Sequence, residues 1–271
     1  MQPHQRSAGR IDAAFAHGVR GTTVARAYQS GCARLRFPRQ HGGMSPTGIV
    51  INTAGGLTGG DRFHVAVDVA AGAAATLSGQ AAEKIYRSAG GVAEMRNALR
   101  IGAGARLDWL PQETILFDRA ALDRRTEVTM AADATLTATE LTVLGRAAMG
   151  ERVRHAILRD RWRIVRDGRP VFADSLRLDG AVDALLDRPA AAAGGSALAL
   201  VVHVAPDAER RLDPVRDLLD GRDGVRSGAS AYDGLLVVRM IAVDAAATRQ
   251  AALAVMGALR DGLPPPRPWL L

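Results

Sequence analysis

The sequence predicts a mainly β protein in which strands stack coil upon coil, superhelical or β-helix-like, with a small α+β part at the C-terminal end carrying about two helices. Three observations predict it. The segment Val67–Leu77 aligns without a gap with Leu99–Trp109 and again with Val128–Ala138, at offsets of 32 (67 to 99) and 29 (99 to 128) residues. Each unit reads apolar-x-apolar, then a turn of small residues centred on Gly72, Gly104 or Asp133, then alternating residues. Alternation of period two is the mark of a half-buried strand, and a strand unit repeated about every thirty residues buries its apolar face only by stacking on its neighbours. Beyond residue 195 the texture changes to strand and helix in alternation.

The 271 residues read as one domain, 1–271, with a mobile tail over 1–10 and the segment 196–263 as an α+β appendage of the same body. Residues 11–37 hold weak strand patterns, Thr23–Tyr28 and Ala33–Phe37. Pro38–Pro46 is a loop with Gly42-Gly43 and a solvated His41. Gly48–Ile51 is a short β-branched strand, and Phe63–Val69 alternates as the next one does. Between them lies Asn52-Thr53-Ala54-Gly55-Gly56-Leu57-Thr58-Gly59-Gly60-Asp61-Arg62. Its paired glycines allow positive φ and close backbone approach. The loop reads as a tight connection, as a phosphate cradle, or as a device that positions the Asp61 carboxylate. A phosphate cradle needs a helix behind the glycines and usually a Lys-Ser or Lys-Thr pair, and here a strand follows.

Further on, Arg161–Arg166 and Arg169–Phe172 flank Asp167-Gly168, a hairpin signal with a solvated arginine face. Ala190–Gly195 is a small-residue linker, and Ala197–Val204 and Leu235–Val243 read as strands. Asp213 as N-cap, Pro214 at the first position and Gly221 past the end delimit a short helix. Asp244 caps a second through Arg260, with Leu253, Met256 and Leu259 on one face, stopped by Gly262 and prolines 264–266.

Composition narrows the function. The net charge is +7 and the pI about 10.7, with Lys84 the only lysine. Aromatic residues are 4%, few for stacking on bases or sugars, so single-strand nucleic-acid or glycan binding is disfavoured and an acidic protein partner stays open. No run approaches the roughly 18–20 apolar residues of a membrane span. Met1–Arg10 is polar and lacks an apolar signal segment, and Cys32, the only cysteine, permits no internal disulfide. The expectation is a cytoplasmic protein.

The six histidines, His4, His17, His41, His64, His155 and His203, show no HxxxH or HxH spacing, so a closed zinc site is not expected. No Gly-x-Ser-x-Gly elbow and no nucleotide fingerprint occurs. What remains is a set of acids in loop or turn positions: Asp61, Glu83, Glu113, Glu140 and Glu151. They suit catalytic carboxylates, transient metal ligands or partner contacts. For each alone, an ion pair with Arg62, Arg87, Arg146 or Arg152 is the plainer reading.

Several blocks together resemble the UreD (UreH) urease accessory family. Gly55-Gly56-Leu57-Thr58-Gly59-Gly60-Asp61-Arg62 looks like its glycine-rich motif, and Gln80-Ala81-Ala82-Glu83-Lys84-Ile85-Tyr86-Arg87-Ser88 resembles its Thr-Lys-Val-Tyr-Arg-Ser stretch. Leu107-Asp108-Trp109-Leu110-Pro111-Gln112-Glu113-Thr114-Ile115-Leu116-Phe117 is similar to its Trp-Leu-Pro-Gln-Glu motif. Glu140, with Gly145-Arg146-Ala147-Ala148-Met149-Gly150-Glu151, matches its Gly-Arg-x-Ala-x-Gly-Glu block, and Pro266-Arg267-Pro268-Trp269 resembles its Pro-Arg-x-Trp end. The blocks run in the same order over most of residues 48–269. Asn52-Thr53-Ala54 departs from the family's proline-rich lead, and residues 11–47 and 181–234 match weakly.

The resemblance implies a β-rich superhelix and a maturation factor for the nickel enzyme urease, not an enzyme itself. It implies complexes with UreF, with the GTPase UreG through UreF, and with the urease apoprotein. It implies no tightly bound cofactor, but Ni2+ in transit toward the urease active site. By resemblance Asp61, Glu140 and Glu151 line or support that path, Arg62 and Arg146 hold them, and Glu83, Tyr86 and Glu113 lend support beside the glycine loop. Oxygen donors hold Ni2+ more weakly than thiolate or imidazole sets, which suits an ion that must move on. The rival from another class is a hydrolase on a β-helix with paired carboxylates as acid and base, which needs an open, aromatic-lined cleft. A basic nucleic-acid-binding protein is a third reading, without a recognition motif to carry it.

Overall fold

A computed structural model describes residues 6–39 and 45–270, so His41 and Gly42-Gly43 lie outside the described residues. Strands β1 (Ala8–Gly18) and β2 (Gly21–Gly31) pair antiparallel, as do β3 (Ala33–Arg36) and β4 (Thr47–Asn52). From there the chain winds. Strand β5 (Arg62–Val69) turns into β6 (Ala74–Gly79) and then β7 (Glu83–Ile85). The same course repeats in β8 (Ala93–Ile101), β9 (Arg106–Leu110) and β10 (Thr114–Leu116), and in β11 (Ala121–Met130) followed by β12 (Thr135–Leu144). Strand β13 (His155–Arg166) opens another coil before β14 (Arg169–Ala181) folds back on it. The result is a β-solenoid of about four turns.

The sequence repeat is the stacking register. Val67 pairs with Leu99 and Leu99 with Val128 on parallel β5, β8 and β11. Leu77 pairs with Trp109, and Trp109 with Ala138, on β6, β9 and β12. Two sheets face each other, β14-β13-β11-β8-β5-β1-β2 and a second with β12-β9-β6-β4-β3 in its path, and the main apolar core fills the space between. On the outer face of the first sheet the arginines are interleaved with acids. Arg96 bridges Glu94 and Asp123, at 2.8 and 2.9 Å, and Arg161 also reaches Asp123. Such half-exposed pairs contribute little stability, but they answer the charge of the expected arginine face.

A third, narrow face closes each coil. Leu57 bridges Ile85, Ile85 pairs with Leu116, and Leu116 with Leu144. All four are buried, forming one apolar ladder across successive coils.

The expected mobile tail over 1–10 needs correction from Ala8 onward. Strand β1 lies inside the seven-stranded sheet, between β2 and β5, because Ile11, Ala13 and Phe15 alternate into the core. Residues 1–5 lie outside the described residues. The hairpin at Asp167-Gly168 forms with φ of 50° and 74°, the two positive values of a type I′ turn.

Past β14 come α1 (Val182–Leu186), β15 (Ala197–Val204), α2 (Leu212–Leu219), β16 (Val225–Tyr232), β17 (Leu235–Ala242) and α3 (Ala245–Leu259). Strands β15, β17 and β16 extend the second sheet antiparallel from β12. Helices α2 and α3 cover that sheet through a second cluster of Val215, Leu219, Val255, Met256 and Leu259. The Asp244 cap forms, its carboxylate accepting from Ala246 N–H at 2.9 Å. Asp213 does not cap α2. A 3-10 turn, Ala208–Arg211, runs directly into the helix and places Arg211 at the cap position. Strand β16 and helix α1 lack the patterning that would predict them. Among the described residues no helix is long and apolar enough to cross a membrane.

Candidate functional site

Residues set about thirty positions apart in sequence meet on the narrow face. The glycine loop lies against the next coil at backbone contact: a Cβ on Gly56 would stand 2.4 Å from the Tyr86 ring and 2.6 Å from Lys84 O. One on Gly59 would stand 2.1 Å from Ser88 Oγ. Leu57 N–H donates to Lys84 O, Tyr86 N–H donates to Leu57 O, and the Tyr86 hydroxyl donates to Gly55 O at 3.0 Å. Tyr86 meets Phe117 edge-on at 5.0 Å, and the Arg146 guanidinium lies 4.2 Å over the Phe117 ring. Arg146 Nε in turn donates to Glu151 at 2.6 Å.

Beside this ridge the two sheets part around a cavity of about 330 Å3. Exposed Gly55, Gln80 and Lys84 stand at its mouth, with half-buried Asn52 and Glu83. Phe63, Val65, Leu77 and Met95 form apolar walls, and Thr114, Arg124 and Glu140 lie at the buried end. A second cavity of about 230 Å3 begins at Glu140 and is lined further by Thr142, Asp160, Trp162 and Met240. Arg124 is held by Glu140 from β12 and by Asp160 from β13, whose oxygens accept from Nε at 3.1 Å and Nη2 at 2.6 Å. Two carboxylates thus share one guanidinium at a buried position. Burial raises the Glu140 carboxyl above its usual range, against the pull of Arg124 and with the push of Asp160.

Among the described residues Glu83 has no cation partner. Burial pushes its carboxyl up to about 7, and a hydrogen bond from Asn52 Nδ2 at 2.9 Å only partly offsets this. The folded value lies above the usual 4.5, so the stability linked to this group is present below 4.5 and is lost as pH rises through 7. Glu83→Gln is therefore expected to stabilise the protein by about 1–2 kcal/mol at pH 8 and by nothing at pH 4, a value reduced for the open mouth. Urea unfolding at both pH values checks this, and an equal effect at the two would contradict it.

The sequence model of the UreD urease accessory protein family matches residues 7–270. The chain belongs to the UreD family. It is 50% identical over 270 residues to a urease accessory protein UreD from Methylobacterium sp. (strain 4-46), covering 98% of this chain and 95% of that one. It is 53% identical over 242 residues to UreD 2 of Methylorubrum populi, covering 89% and 81%. With UreD of Rhizobium leguminosarum bv. viciae the identity is 47% over 250 residues, covering 92% and 90%. The weakly matching segments from Ile11 to Thr47 and Ala181 to Gly234 fall inside the span of the family.

The UreD motif residues take separate places in this geometry. Asp61 is buried, and both its oxygens are occupied by main-chain donors, Ser7 N–H at 2.8 Å and Thr58 N–H at 2.9 Å. Arg62, next along β5, is exposed and forms no ion pair with it. Glu140 is in the cavity wall, but its cation is Arg124. Glu151 is on the outer ridge with Arg146, and accepts from Asp118 N–H. Glu113 turns away to Arg249 of α3, whose guanidinium lies 4.6 Å over Trp269, so two UreD motifs meet at the C-terminal helix. Glu83 and Glu140 therefore share the cavity, while Asp61, Glu113 and Glu151 do not line it. Among the described residues no three His, Cys, Asp or Glu side chains group so as to hold a metal ion. Sequence reasoning missed Arg124, Asp160 and Trp162.

Proposed function

We propose that this UreD-family chain is a non-enzymatic, cytoplasmic maturation factor for urease. In this reading it binds the urease apoprotein and the UreF and UreG accessory proteins, and Ni2+ passes through its interior toward the urease active site. Family membership supports the link to urease. The observation that carries the passage is the cavity leading from Glu83 at the mouth to Glu140 at the buried end. Two single carboxylates set apart, with no three-ligand cluster among the described residues, suit an ion that is handed on rather than kept. Asp61 and Glu151 serve the path from outside it, the first by fixing the glycine loop and the second by holding Arg146 over Phe117. A hydrolase would need paired carboxylates facing an open cleft, and Glu140 and Asp160 instead face a buried guanidinium.

The test is urease activation in a host carrying the urease structural and other accessory genes, with this chain, without it, or with Glu83→Gln/Glu140→Gln. Nickel bound per urease should fall at least about tenfold without the chain and about tenfold with the double variant, the factor that about 1.4 kcal/mol of altered interaction gives. The variant should still co-purify with its partners. Equal nickel loading without the chain would overturn the reading.

A further inference from the structure

The two cavities meet at Glu140, the carboxylate that holds buried Arg124. Arg124 lines the first, Asp160 lines the second, and Glu140 borders both. Strand β11 puts Arg124 on its inward face between Leu122 and Thr126, and parallel β13 sets Asp160 directly beside it in register. Glu140 approaches from the opposite sheet. Thr114 Oγ1 accepts from the guanidinium at 2.7 Å and Thr142 Oγ1 at 3.4 Å. All five residues are at least nine-tenths buried.

The first cavity also carries buried donors without a protein acceptor among the described residues, Trp109 Nε1 and Gln112 Nε2, while Trp162 in the second lies beside Glu140. Unpaired polar groups in a roomy site call for water, whereas an empty cavity is apolar. The first cavity thus offers a polar way to the Arg124 cluster.

We infer that Arg124 is a tethered cation that closes the way between the two cavities and yields its place beside Glu140 and Asp160 when a divalent cation passes. This rests on the proposed passage of a cation. A guanidinium in contact with both carboxylates repels an incoming ion. Replacing one cation by another keeps the carboxylates paired with positive charge throughout. When the side chain returns, it competes the ion off the two carboxylates and two hydroxyls, donors that hold Ni2+ less tightly than thiolate or imidazole sets. Arg124 would act as a positioning residue, setting how long the ion stays.

Removing the guanidinium while keeping the carboxylates should turn the passage into a trap. The full-length chain, co-purified with its accessory partners, is loaded with nickel chloride, desalted and analysed for metal. Arg124→Gln should retain about one more Ni2+ per chain than wild type. Its melting temperature should rise with nickel where the wild type's does not, and its delivery of nickel to urease should drop at least about tenfold. Arg124→Lys keeps the charge and should hold no extra nickel. Arg124→Gln/Glu140→Gln should lose what the single variant gained. If Arg124→Gln does not fold, Asp160→Asn tests the barrier with the cation left in place: delivery should slow without any gain in bound metal.

Wild-type metal content and wild-type delivery in Arg124→Gln, or wild-type delivery in Asp160→Asn where the first does not fold, overturns the inference. The passage itself fails by a different result, nickel loading of urease that does not depend on the chain at all.

Discussion

Leu116→Ala is expected to destabilise the protein by about 3–4 kcal/mol. Leu116 is fully buried in the middle of the narrow-face ladder, with Ile85 on one side and Leu144 on the other. Truncation removes the transferred apolar surface and leaves a gap that two hydrogen-bonded coils cannot close by shifting. In a solenoid each coil is held chiefly by its neighbours, so a defect between two coils weakens the stack on both sides. Urea unfolding should show a lower midpoint with little change in slope, and the melting temperature should fall by roughly 6–14 °C. A loss below about 1 kcal/mol would mean that the ladder is not part of the core.

The ladder also shows what the sequence discloses. The repeat Val67, Leu99, Val128 was visible because stacked residues of a parallel solenoid face the same environment and so resemble one another. The third position of the coil was harder to see. Leu57 sits in a single bridge and Ile85 and Leu116 in strands of three residues, too short for a period to emerge, while Leu144 ends the ten-residue β12, which is buried almost throughout. Arg124 and Asp160 had a signal that went unused. In Leu122, Arg124, Thr126, Val128 and in Leu158, Asp160, Trp162, Ile164 the period-two pattern puts a charge on the inward face of each strand. An arginine and an acid at register positions of adjacent coils are a buried pair waiting to be matched. Neighbouring Arg125 and Arg161, on the outward faces, hid it by making both strands look merely basic. Glu140 sits in a strand buried almost throughout, where no alternation exists to say which sheet's residues it meets. Strand β1 was lost for another reason: alanine and glycine at its start lower its apolar contrast, yet its backbone bonds to β2 and β5 place it inside the sheet.

Asp61→Ala should cost about 3 kcal/mol, and the reason separates scaffold from passage. Each Asp61 oxygen accepts one main-chain N–H, from Ser7 ahead of β1 and from Thr58 in the glycine loop. Removing the carboxylate leaves two donors unpaired in a largely dry setting, at about 1–3 kcal/mol each. Asp61→Asn should not rescue, because its amide NH2 would face one of the two N–H donors and no rotation satisfies both. Hydrogen exchange should quicken at the start of β1 and in the glycine loop, while the cavity-facing strands β6 and β9 keep their protection. The contrast with Glu140→Gln is decisive. Glu140→Gln leaves Arg124 paired with Asp160, so it should lower nickel delivery with stability nearly intact. Asp61→Ala should lower delivery only as far as it lowers folding and co-purification with partners. If Asp61→Ala instead folds with wild-type stability and still delivers no nickel, its carboxylate touches the ion directly, and the path runs beneath the glycine loop rather than through the Glu83–Glu140 cavity.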